Sequence, residues 1–321
     1  MIVCDKIRHR FGDRDALVDV TLHVPTGAVF GFIGPNGAGK TTTIRVLSTL
    51  LAPTSGTATI DGLDVVEHAR AVRRRVGYMP DNAGVYERIT AAEYLDFFSR
   101  ACGIAPNLRA RTVADCVELT EIGHLLGREV MALSKGQRQR LLLARTLLHD
   151  PRVLILDEPA SDLDPRARIE LRVLLTELGR MGKTIFLSSH ILTELADICT
   201  HVGIIEAGRV VAHGPIDAVQ AARRPGRRVR LTVLGQAEQM TAALTGFTFV
   251  QGVVAMAEEP GAEGPRRYEV SFEGDDWRLS ELVAAVVEAG VPVVGVEPER
   301  RDLERLFMDL TVGSGAQDGA A

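Results

Sequence analysis

Apolar and polar residues alternate in two early segments, residues 2–7 and 17–24, as they do in half-buried antiparallel strands. Residues 28–33 and 153–156 are instead continuous apolar runs, which suit strands buried on both faces. The same kind of pattern predicts further strands at 57–60, 76–79, 184–188 and 202–206, and helices at 41–51, at 65–75, across most of 90–148 and at 169–180. Strands that alternate with helices indicate a mostly parallel sheet with helices on both faces.

The pattern changes near residue 221, where the Arg-, Pro- and Gly-rich segment 223–228 is typical of a linker. Beyond it, the pattern predicts strands at 228–234, 247–256, 266–272 and 291–297, and helices at 236–245, 276–290 and 301–311. This βαββαβ order resembles a ferredoxin-like domain. We therefore predict a first domain at residues 1–218, a linker at 219–228 and a small α+β domain at 229–312. The tail at 313–321 is expected to be disordered.

Length and composition limit the number of domains and the kinds of partner and site to be expected. A chain of 321 residues is long for one core, so two domains are expected. The net charge of −5 and the aromatic content of 5% do not favour a nucleic-acid-binding surface. The four cysteines are widely separated, so neither a zinc site nor a disulfide framework is indicated. No segment approaches the roughly 18 apolar residues of a membrane-spanning helix, so work at a membrane would require a second chain.

The first chemical motif is the loop that follows residues 28–33. It matches the pattern G-x-x-x-x-G-K-[ST] and reads Gly34-Pro35-Asn36-Gly37-Ala38-Gly39-Lys40-Thr41. Its glycines let backbone N–H groups face nucleotide phosphates without clashes from Cβ atoms. Lys40 adds positive charge near the transferred phosphoryl group, and the Thr41 hydroxyl is a suitable Mg²⁺ ligand. The N-terminus of the next helix favours the same anion, so the loop predicts binding of ATP with Mg²⁺.

The second motif is a pair of carboxylates, Asp157 and Glu158, at the end of the apolar strand 153–156. Asp157 is placed to meet Mg²⁺. Glu158 is expected to point the other way at the strand end, where it can orient and polarise the attacking water. The alternative is an ordinary acidic pair that caps a surface loop. The phosphate loop upstream favours the catalytic interpretation.

Further motifs resemble those of ABC ATPases and follow the order found in that family. Leu133-Ser134-Lys135-Gly136-Gln137 resembles the LSGGQ signature, and the segment from Ala160 to Asp164 resembles the D-loop. Asp81 stands in the place of the Q-loop glutamine, His190 in that of the switch histidine, and Phe11 in that of the aromatic residue that stacks on adenine. The resemblance covers about the first 215 residues. Taken singly, Phe11 and His190 could also be ordinary core or surface residues.

The resemblance implies an α/β P-loop ABC ATPase domain, with a mixed sheet, an antiparallel β-subdomain and a helical subdomain at about residues 85–150. It also implies that two copies pair head to tail, so that each ATP lies between one phosphate loop and the signature segment of the other copy. The implied catalytic residues are Lys40, Glu158 and His190. The implied ATP-binding residues are Phe11, Gly34, Pro35, Asn36, Gly37, Ala38, Gly39, Lys40, Thr41, Thr42, Ser134, Gly136, Gln137 and Asp164, and the implied Mg²⁺ ligands are Thr41, Asp81 and Asp157.

Three positions depart from the family pattern. Lys135 replaces the first signature glycine, Asp81 replaces the Q-loop glutamine, and Asp162 replaces the usual D-loop glycine. The change at Asp81 puts Mg²⁺ affinity and coupling to a partner in question, and Asp162 affects the contact across the dimer. None of the three removes an essential catalytic group, so a working ATPase is expected.

The segment 297–311 is similar to the closing helix of C-terminal extensions in ABC-2-type exporter ATPases. The resemblance therefore implies an ATP-hydrolysing subunit, peripheral on the cytoplasmic face of the cell membrane, that energises a separate transmembrane partner. The small C-terminal domain would be a regulatory or dimer-stabilising module. Drugs, lipids, polysaccharides and ions all remain open as cargo, because substrate contacts in this architecture lie mainly in the membrane partner.

Two surface assignments have alternatives. Core packing competes with partner docking for four aromatic residues of the helical region, Tyr86, Tyr94, Phe97 and Phe98. A solvated linker competes with contacts to anionic lipid for the arginines at 223, 224, 227, 228 and 230.

The alternative function is a soluble ABC-type ATPase acting on the ribosome or DNA, although this acidic chain has no second fused ATPase domain and no long coiled-coil insertion. A P-loop kinase or GTPase would leave the signature segment and His190 without a role.

Overall fold

The computed structural model describes residues 1–81, 84, 88–161, 163–190, 198–221, 227–234, 237–256 and 265–298. The chain divides into two compact units, with the boundary between Val219 and Gln220. The strands of the first unit are β1 (Ile2–Phe11), β2 (Arg14–Val24), β3 (Val29–Ile33), β4 (Ser55–Ile60), β5 (Leu63–Asp64), β6 (Val76–Met79), β7 (Val153–Leu156), β8 (Thr184–Ser189), β9 (His201–Glu206) and β10 (Arg209–Pro215). Its helices are α1 (Lys40–Leu47), α2 (Ala69–Arg75), α3 (Ala91–Ala101), α4 (Pro106–Leu119), α5 (Lys135–Leu147), α6 (Pro165–Arg180) and α7 (Ile216–Ala221).

The strands of the first unit form a mixed sheet in the order β5-β4-β1-β2-β10-β9-β3-β8-β7-β6. Strands β9, β3, β8, β7 and β6 pair in parallel, whereas β1, β2, β4 and β5 pair antiparallel. Every residue of β3 and β7 is buried, as expected for central parallel strands. The expected mixed sheet with an antiparallel part is confirmed. The carboxyl ends of β3, β7 and β8 lie side by side, which places the residues after them at one edge of the sheet.

Several helix boundaries differ from the sequence pattern for local reasons. Helix α1 ends at Leu47 instead of residue 51, because Thr49 has a positive φ of 61° that an α-helix does not contain. Helix α2 begins at Ala69 instead of residue 65, because the Asp64 carboxylate accepts hydrogen bonds from the N–H groups of two following residues and holds a turn. Helix α6 begins early, at Pro165, where the Asp164 carboxylate caps it.

Two strands are not predicted from the sequence. Strand β5 has only two residues, too few to show a pattern. Strand β10 is only partly buried, and it ends in Gly214-Pro215, a pair that is typical of a turn. Its main-chain pairing with β9 and with β2 nevertheless joins the parallel and antiparallel parts into one sheet. Tertiary pairing therefore overrides a weak local signal at this position.

The aromatic candidates of the helical region, α3 to α5, differ in how deeply they are buried. Tyr94 is buried, and its hydroxyl accepts a hydrogen bond from Arg145, so it is a core residue. Phe98 is half-buried, and the Arg145 guanidinium lies 5.0 Å from the centre of its ring. Phe97 is 54% exposed on the outer face of α3. Tyr86 lies outside the described residues.

The second unit contains β11 (Arg227–Val233), α8 (Ala237–Thr245), β12 (Val250–Ala255), β13 (Arg266–Phe272), α9 (Asp276–Glu288) and β14 (Val293–Pro298). Its sheet is antiparallel throughout, in the order β12-β13-β11-β14, which confirms the ferredoxin-like prediction. Its core contains alternate residues of β11, namely Val229, Leu231 and Val233. The predicted helix at 301–311 and the tail at 313–321 lie outside the described residues.

The arginines of β11 are paired within this second unit. Arg227, Arg228 and Arg230 form ion pairs with Asp276, Glu269 and Glu297, respectively. Their charges are therefore balanced locally. The arginines at 223 and 224 lie outside the described residues. In the described part of the chain, no helix combines the length and apolarity needed to cross a bilayer.

Candidate active site

The phosphate loop joins β3 to α1, and its shape requires glycine at two positions. A Cβ atom on Gly34 would lie 2.4 Å from the Ile205 carbonyl oxygen on the neighbouring strand β9. Gly39 has a φ of 111°, in the left-handed region that glycine tolerates. Lys40 follows as the first residue of α1. The loop therefore turns sharply between a buried strand and a helix N-terminus, which is an arrangement suited to binding phosphate.

The Lys40 side chain is buried against its own loop. Its Nζ donates hydrogen bonds to the carbonyl oxygens of Gly34 at 2.7 Å and Pro35 at 3.2 Å. The same ammonium group lies 3.3 Å from Oε1 of Glu158. A buried ammonium needs acceptors and a counter-charge, and these three oxygen atoms supply both. The contacts link the phosphate loop to the end of strand β7.

Asp157 is buried at the end of β7. One carboxylate oxygen accepts hydrogen bonds from the hydroxyl groups of Ser188 at 2.7 Å and Thr41 at 3.4 Å. Burial raises the pKa of the Asp157 carboxyl, and the nearby carboxylates of Glu158 and Asp81 act in the same direction, while the two hydroxyl groups oppose the shift. A carboxylate and a hydroxyl in contact form an oxygen donor set that fits Mg²⁺, a cation that also retains water and phosphate ligands.

Glu158 is predicted to point the other way from Asp157, and a local turn of the backbone contributes to its direction. Its φ is 47°, so the backbone turns at this residue, and its N–H donates a hydrogen bond of 2.8 Å to the Ser188 hydroxyl. The turn directs the carboxylate to Lys40 on one side and to His190 on the other, whose Nδ1 lies 2.8 Å from Oε2. A carboxylate in this position can accept a proton from a water molecule near the loop.

These groups border a cavity of about 750 Å³, which we call the loop cavity. The predicted residues that line it are Phe11, Asn36, Gly37, Gly39, Lys40, Thr41, Thr42, Asp81, Glu158 and His190. Phe11 is 48% exposed, so it is not the core phenylalanine of the alternative interpretation. The carbonyl oxygens of three other predicted loop residues accept hydrogen bonds from within the protein. Those of Gly34 and Pro35 accept from the Lys40 ammonium, and that of Ala38 accepts from the Gly208 N–H.

The loop cavity also contains residues that sequence reasoning does not assign. Arg14, Ala16 and Ser161 line it, and the Ser161 hydroxyl donates a hydrogen bond of 3.2 Å to Asp81. Asp81 thereby connects the end of the β6 strand to the segment after β7. Gln139 is a further missed residue, since its buried amide donates to the Pro159 carbonyl at 3.0 Å. Of these residues, Ser161 alone lies within a motif named from the sequence, the D-loop-like segment from Ala160 to Asp164.

The signature segment lies in a second hollow of about 380 Å³, which we call the signature cavity. Ser134 caps helix α5, and its hydroxyl accepts the Gln137 N–H at 3.3 Å, while the Gln137 side chain accepts the Ser134 N–H at 3.1 Å. Asp164 caps α6 by accepting the Ala167 N–H at 2.9 Å. A Cβ atom on Gly136 would approach Ala167 to 3.1 Å, so glycine permits the close contact between the two helix starts.

The four predicted residues of the signature cavity are therefore brought together, but not with the phosphate loop of their own chain. Ser134, Gly136, Gln137 and Asp164 line the signature cavity and not the loop cavity. Gln137 serves its own helix as a capping partner. Lys135 is exposed at the start of α5, and Asp162 lies outside the described residues.

Comparisons with known proteins agree with these motifs. The family model described as "ABC transporter" matches residues 17–161. The daunorubicin resistance ATP-binding protein DrrA3 of Streptomyces coeruleorubidus is 36% identical over 97% of this chain and 95% of its own. The bacitracin transport ATP-binding protein BcrA of Bacillus licheniformis is 32% identical, with 95% of each chain covered. A solved ATP-binding subunit of an ABC transporter aligns with a TM-score of 0.63 at 29% identity, covering 69% of this chain and 92% of its own.

The burial of Asp157 predicts that this residue destabilises the nucleotide-free fold. Because its pKa is raised, the charged form is disfavoured in the folded state, and the penalty is present at neutral pH and disappears as the pH falls through the raised pKa. We expect Asp157→Asn to have a higher free energy of unfolding than the wild type at neutral pH without nucleotide or Mg²⁺. The difference should shrink as the pH is lowered from neutrality towards the ordinary carboxyl pKa of 3.8, as measured by urea unfolding at a series of pH values.

Asp164→Asn is the matched control, because it removes an exposed carboxylate and retains the helix cap. It should leave the free energy of unfolding nearly unchanged. An Asp157→Asn protein less stable than the wild type at neutral pH would contradict the prediction.

Proposed function

Because the chain belongs to the ABC transporter family of ATP-binding proteins, we propose that it is the ATP-hydrolysing subunit of an ABC-2-type exporter and that it energises a separate transmembrane partner. The chain is an ABC-type ATPase. The observation that carries the proposal is the loop cavity, which places an exposed aromatic ring, a phosphate loop and two catalytic candidates, Glu158 and His190, around one space. Two relatives that are covered along nearly their whole length are named for daunorubicin resistance and bacitracin transport, which supports export.

ATP would lie with its adenine on Phe11 and its phosphates on the loop. The ring of Phe11 is exposed and lines the cavity, and so do the first residues of α1, Lys40, Thr41 and Thr42. Thr41, Asp157 and Asp81 would hold Mg²⁺, which would neutralise charge on the phosphates. Ser188 maintains the Asp157 carboxylate in position by its hydrogen bond.

Glu158 would act as the general base for the attacking water. Its carboxylate is paired with Lys40 and His190. A γ-phosphate is a stronger partner for Lys40 than a single carboxylate, so ATP would draw the ammonium towards itself and release one oxygen of Glu158 for water. His190 would remain beside the γ-phosphate and hold the attack geometry.

The separation of the two cavities supports a composite site made by two copies. The N-terminus of α5 favours an anion, and the Ser134 hydroxyl retains its hydrogen for donation while its oxygen accepts the capping bond. In a head-to-tail pair, each signature cavity would cover the γ-phosphate in the other copy's loop cavity. ATP binding would close the pair and hydrolysis would reopen it, which provides the two states of a transport cycle.

The transmembrane partner would dock on the helical region of a chain held at the cytoplasmic face of the membrane. Phe97 supports this location, because it is exposed while the neighbouring aromatic residues Tyr94 and Phe98 pack inside. An exposed aromatic residue on a helix is a suitable anchor for a helix of a partner. The acidic net charge gives no support to a ribosome- or DNA-bound alternative.

Glu158→Gln should retain ATP binding and lose hydrolysis. The amide keeps the shape of the side chain but cannot accept the proton from water, so kcat should fall by roughly 10²- to 10⁴-fold. ATP affinity should stay within about threefold, and the protein should become a stable dimer with ATP, as measured by titration calorimetry, phosphate release and light scattering. The exposed control Glu67→Gln should hydrolyse ATP like the wild type. Unchanged turnover in Glu158→Gln would refute the assigned role.

Two inactive variants should complement each other if the site is composite. Lys40→Ala disables the loop cavity, and Ser134→Asp keeps the helix cap but places a negative charge against the incoming γ-phosphate. A heterodimer purified by two different tags contains one intact site, so its single-turnover hydrolysis should be about half that of the wild type. Each homodimer should be inactive. A heterodimer as inactive as the two homodimers would contradict the head-to-tail arrangement.

Phe97→Glu should release the transmembrane partner without loss of ATP hydrolysis. A charge at this exposed aromatic position would be buried without a counter-charge in the docked complex. We expect a protein with several membrane spans to co-purify with the wild type from solubilised native membranes, and to be lost with Phe97→Glu. The control Met181→Glu places the same charge at an exposed position at the end of α6 and should retain the partner. Equal recovery with both variants would exclude this docking surface.

A further inference from the structure

The hairpin between β1 and β2 places a cation beside the aromatic residue of the loop cavity. Gly12 and Asp13 form the two-residue turn, and Gly12 has a φ of 55°. Phe11 and Arg14 are therefore paired directly across the two antiparallel strands. Paired residues project from the same face of a sheet, and both side chains line the loop cavity.

The guanidinium of Arg14 extends over the phosphate loop. Its Nη2 is the nearest heavy atom to the position that a Cβ atom would take on Gly37, at 3.9 Å. Gly37 lies in the middle of the loop, among the residues whose N–H groups would donate hydrogen bonds to phosphate oxygens. Arg14 thus stands between the aromatic ring and the phosphate loop, where a nucleotide that spans both would pass.

The charge of Arg14 is not balanced by a protein partner in the described part of the chain, where its side chain has neither an ion pair nor a hydrogen bond. The contrast with nearby cations is clear. Arg10 has Asp13 at 3.8 Å and Asp15 at 3.7 Å, and Lys40 has Glu158 at 3.3 Å. A guanidinium that leans over an anion-binding loop while remaining without a counter-charge is suited to an anionic ligand.

We propose that Arg14 binds the phosphate chain of the nucleotide from the solvent side of the loop. This inference rests on the proposed function, in that the loop cavity holds ATP. Lys40 is buried against the loop, whereas Arg14 is exposed, so the two cations would reach the phosphates from different directions. The planar guanidinium can donate two parallel hydrogen bonds to phosphate oxygens. Because it is exposed, its contribution is screened by salt.

The test is titration calorimetry of the full chain with MgATP at low and high salt. Arg14→Ala should weaken ATP binding roughly tenfold, and binding should become less dependent on salt, because a charge-assisted contact to phosphate is lost. GTP should lose affinity by the same factor, because the phosphate chain is shared. Arg14→Lys should lose no more than about threefold, since the charge is retained.

Arg8→Ala is the matched control, with the same change of charge at an exposed position of β1 outside the cavity. It should bind ATP like the wild type. Equal affinity and equal salt dependence for Arg14→Ala and Arg8→Ala, with thermal melts showing that both are folded, would overturn the inference. Lys40→Ala separates this failure from a failure of the proposed function: if Lys40→Ala abolishes ATP binding while Arg14→Ala does not alter it, only the role of Arg14 is wrong. If Lys40→Ala binds ATP as the wild type does, the loop cavity is not the nucleotide site.

Discussion

The ion pair between Lys40 and Glu158 is the interaction on which the arrangement of the loop cavity depends. A buried ammonium without acceptors would cost several kcal/mol, so the chain must bring oxygen atoms to Lys40. Two come from the loop itself, at Gly34 and Pro35, and the third comes from Glu158 at the end of β7. One charge thus connects the turn after β3 to the turn after β7, two segments far apart in sequence.

Strand β8 completes this arrangement with a single hydroxyl. Ser188 donates to the Asp157 carboxylate and accepts the N–H of Glu158, so one side chain orients two consecutive acidic residues with different surroundings. Asp157 is held inward against Thr41, and Glu158 turns towards the open cavity. The parallel pairing of β7 with β8, and of β8 with β3, is the reason that these residues meet at one edge of the sheet. The order of the strands in the sheet therefore determines which of these side chains can meet.

Much of this could be predicted from sequence where a residue's type and its spacing act together. The phosphate loop has a fixed pattern between a strand and a helix, and strands such as β3 and β7 are apolar throughout because they are buried on both faces. The contacts of Glu158 with Lys40 and His190 could not be predicted, because they depend on a positive φ at Glu158 that its residue type does not indicate. Arg14 was missed for another reason: it enters the cavity through the register of a hairpin, which becomes visible only once the pairing of β1 with β2 is known.

Under the proposed function, the capping of α5 explains how one chain can present half of a composite site as a folded segment. Ser134 and Gln137 satisfy each other's backbone N–H groups at the helix start, so the signature segment needs no ligand to be folded. Lys40 and Glu158 likewise satisfy each other within the loop cavity. An ATP that entered between two copies would displace the Lys40–Glu158 pair in one copy and meet the helix start of the other. Under the proposed function, release of the general base therefore needs only the loop cavity of its own chain, whereas coverage of the γ-phosphate needs the second copy.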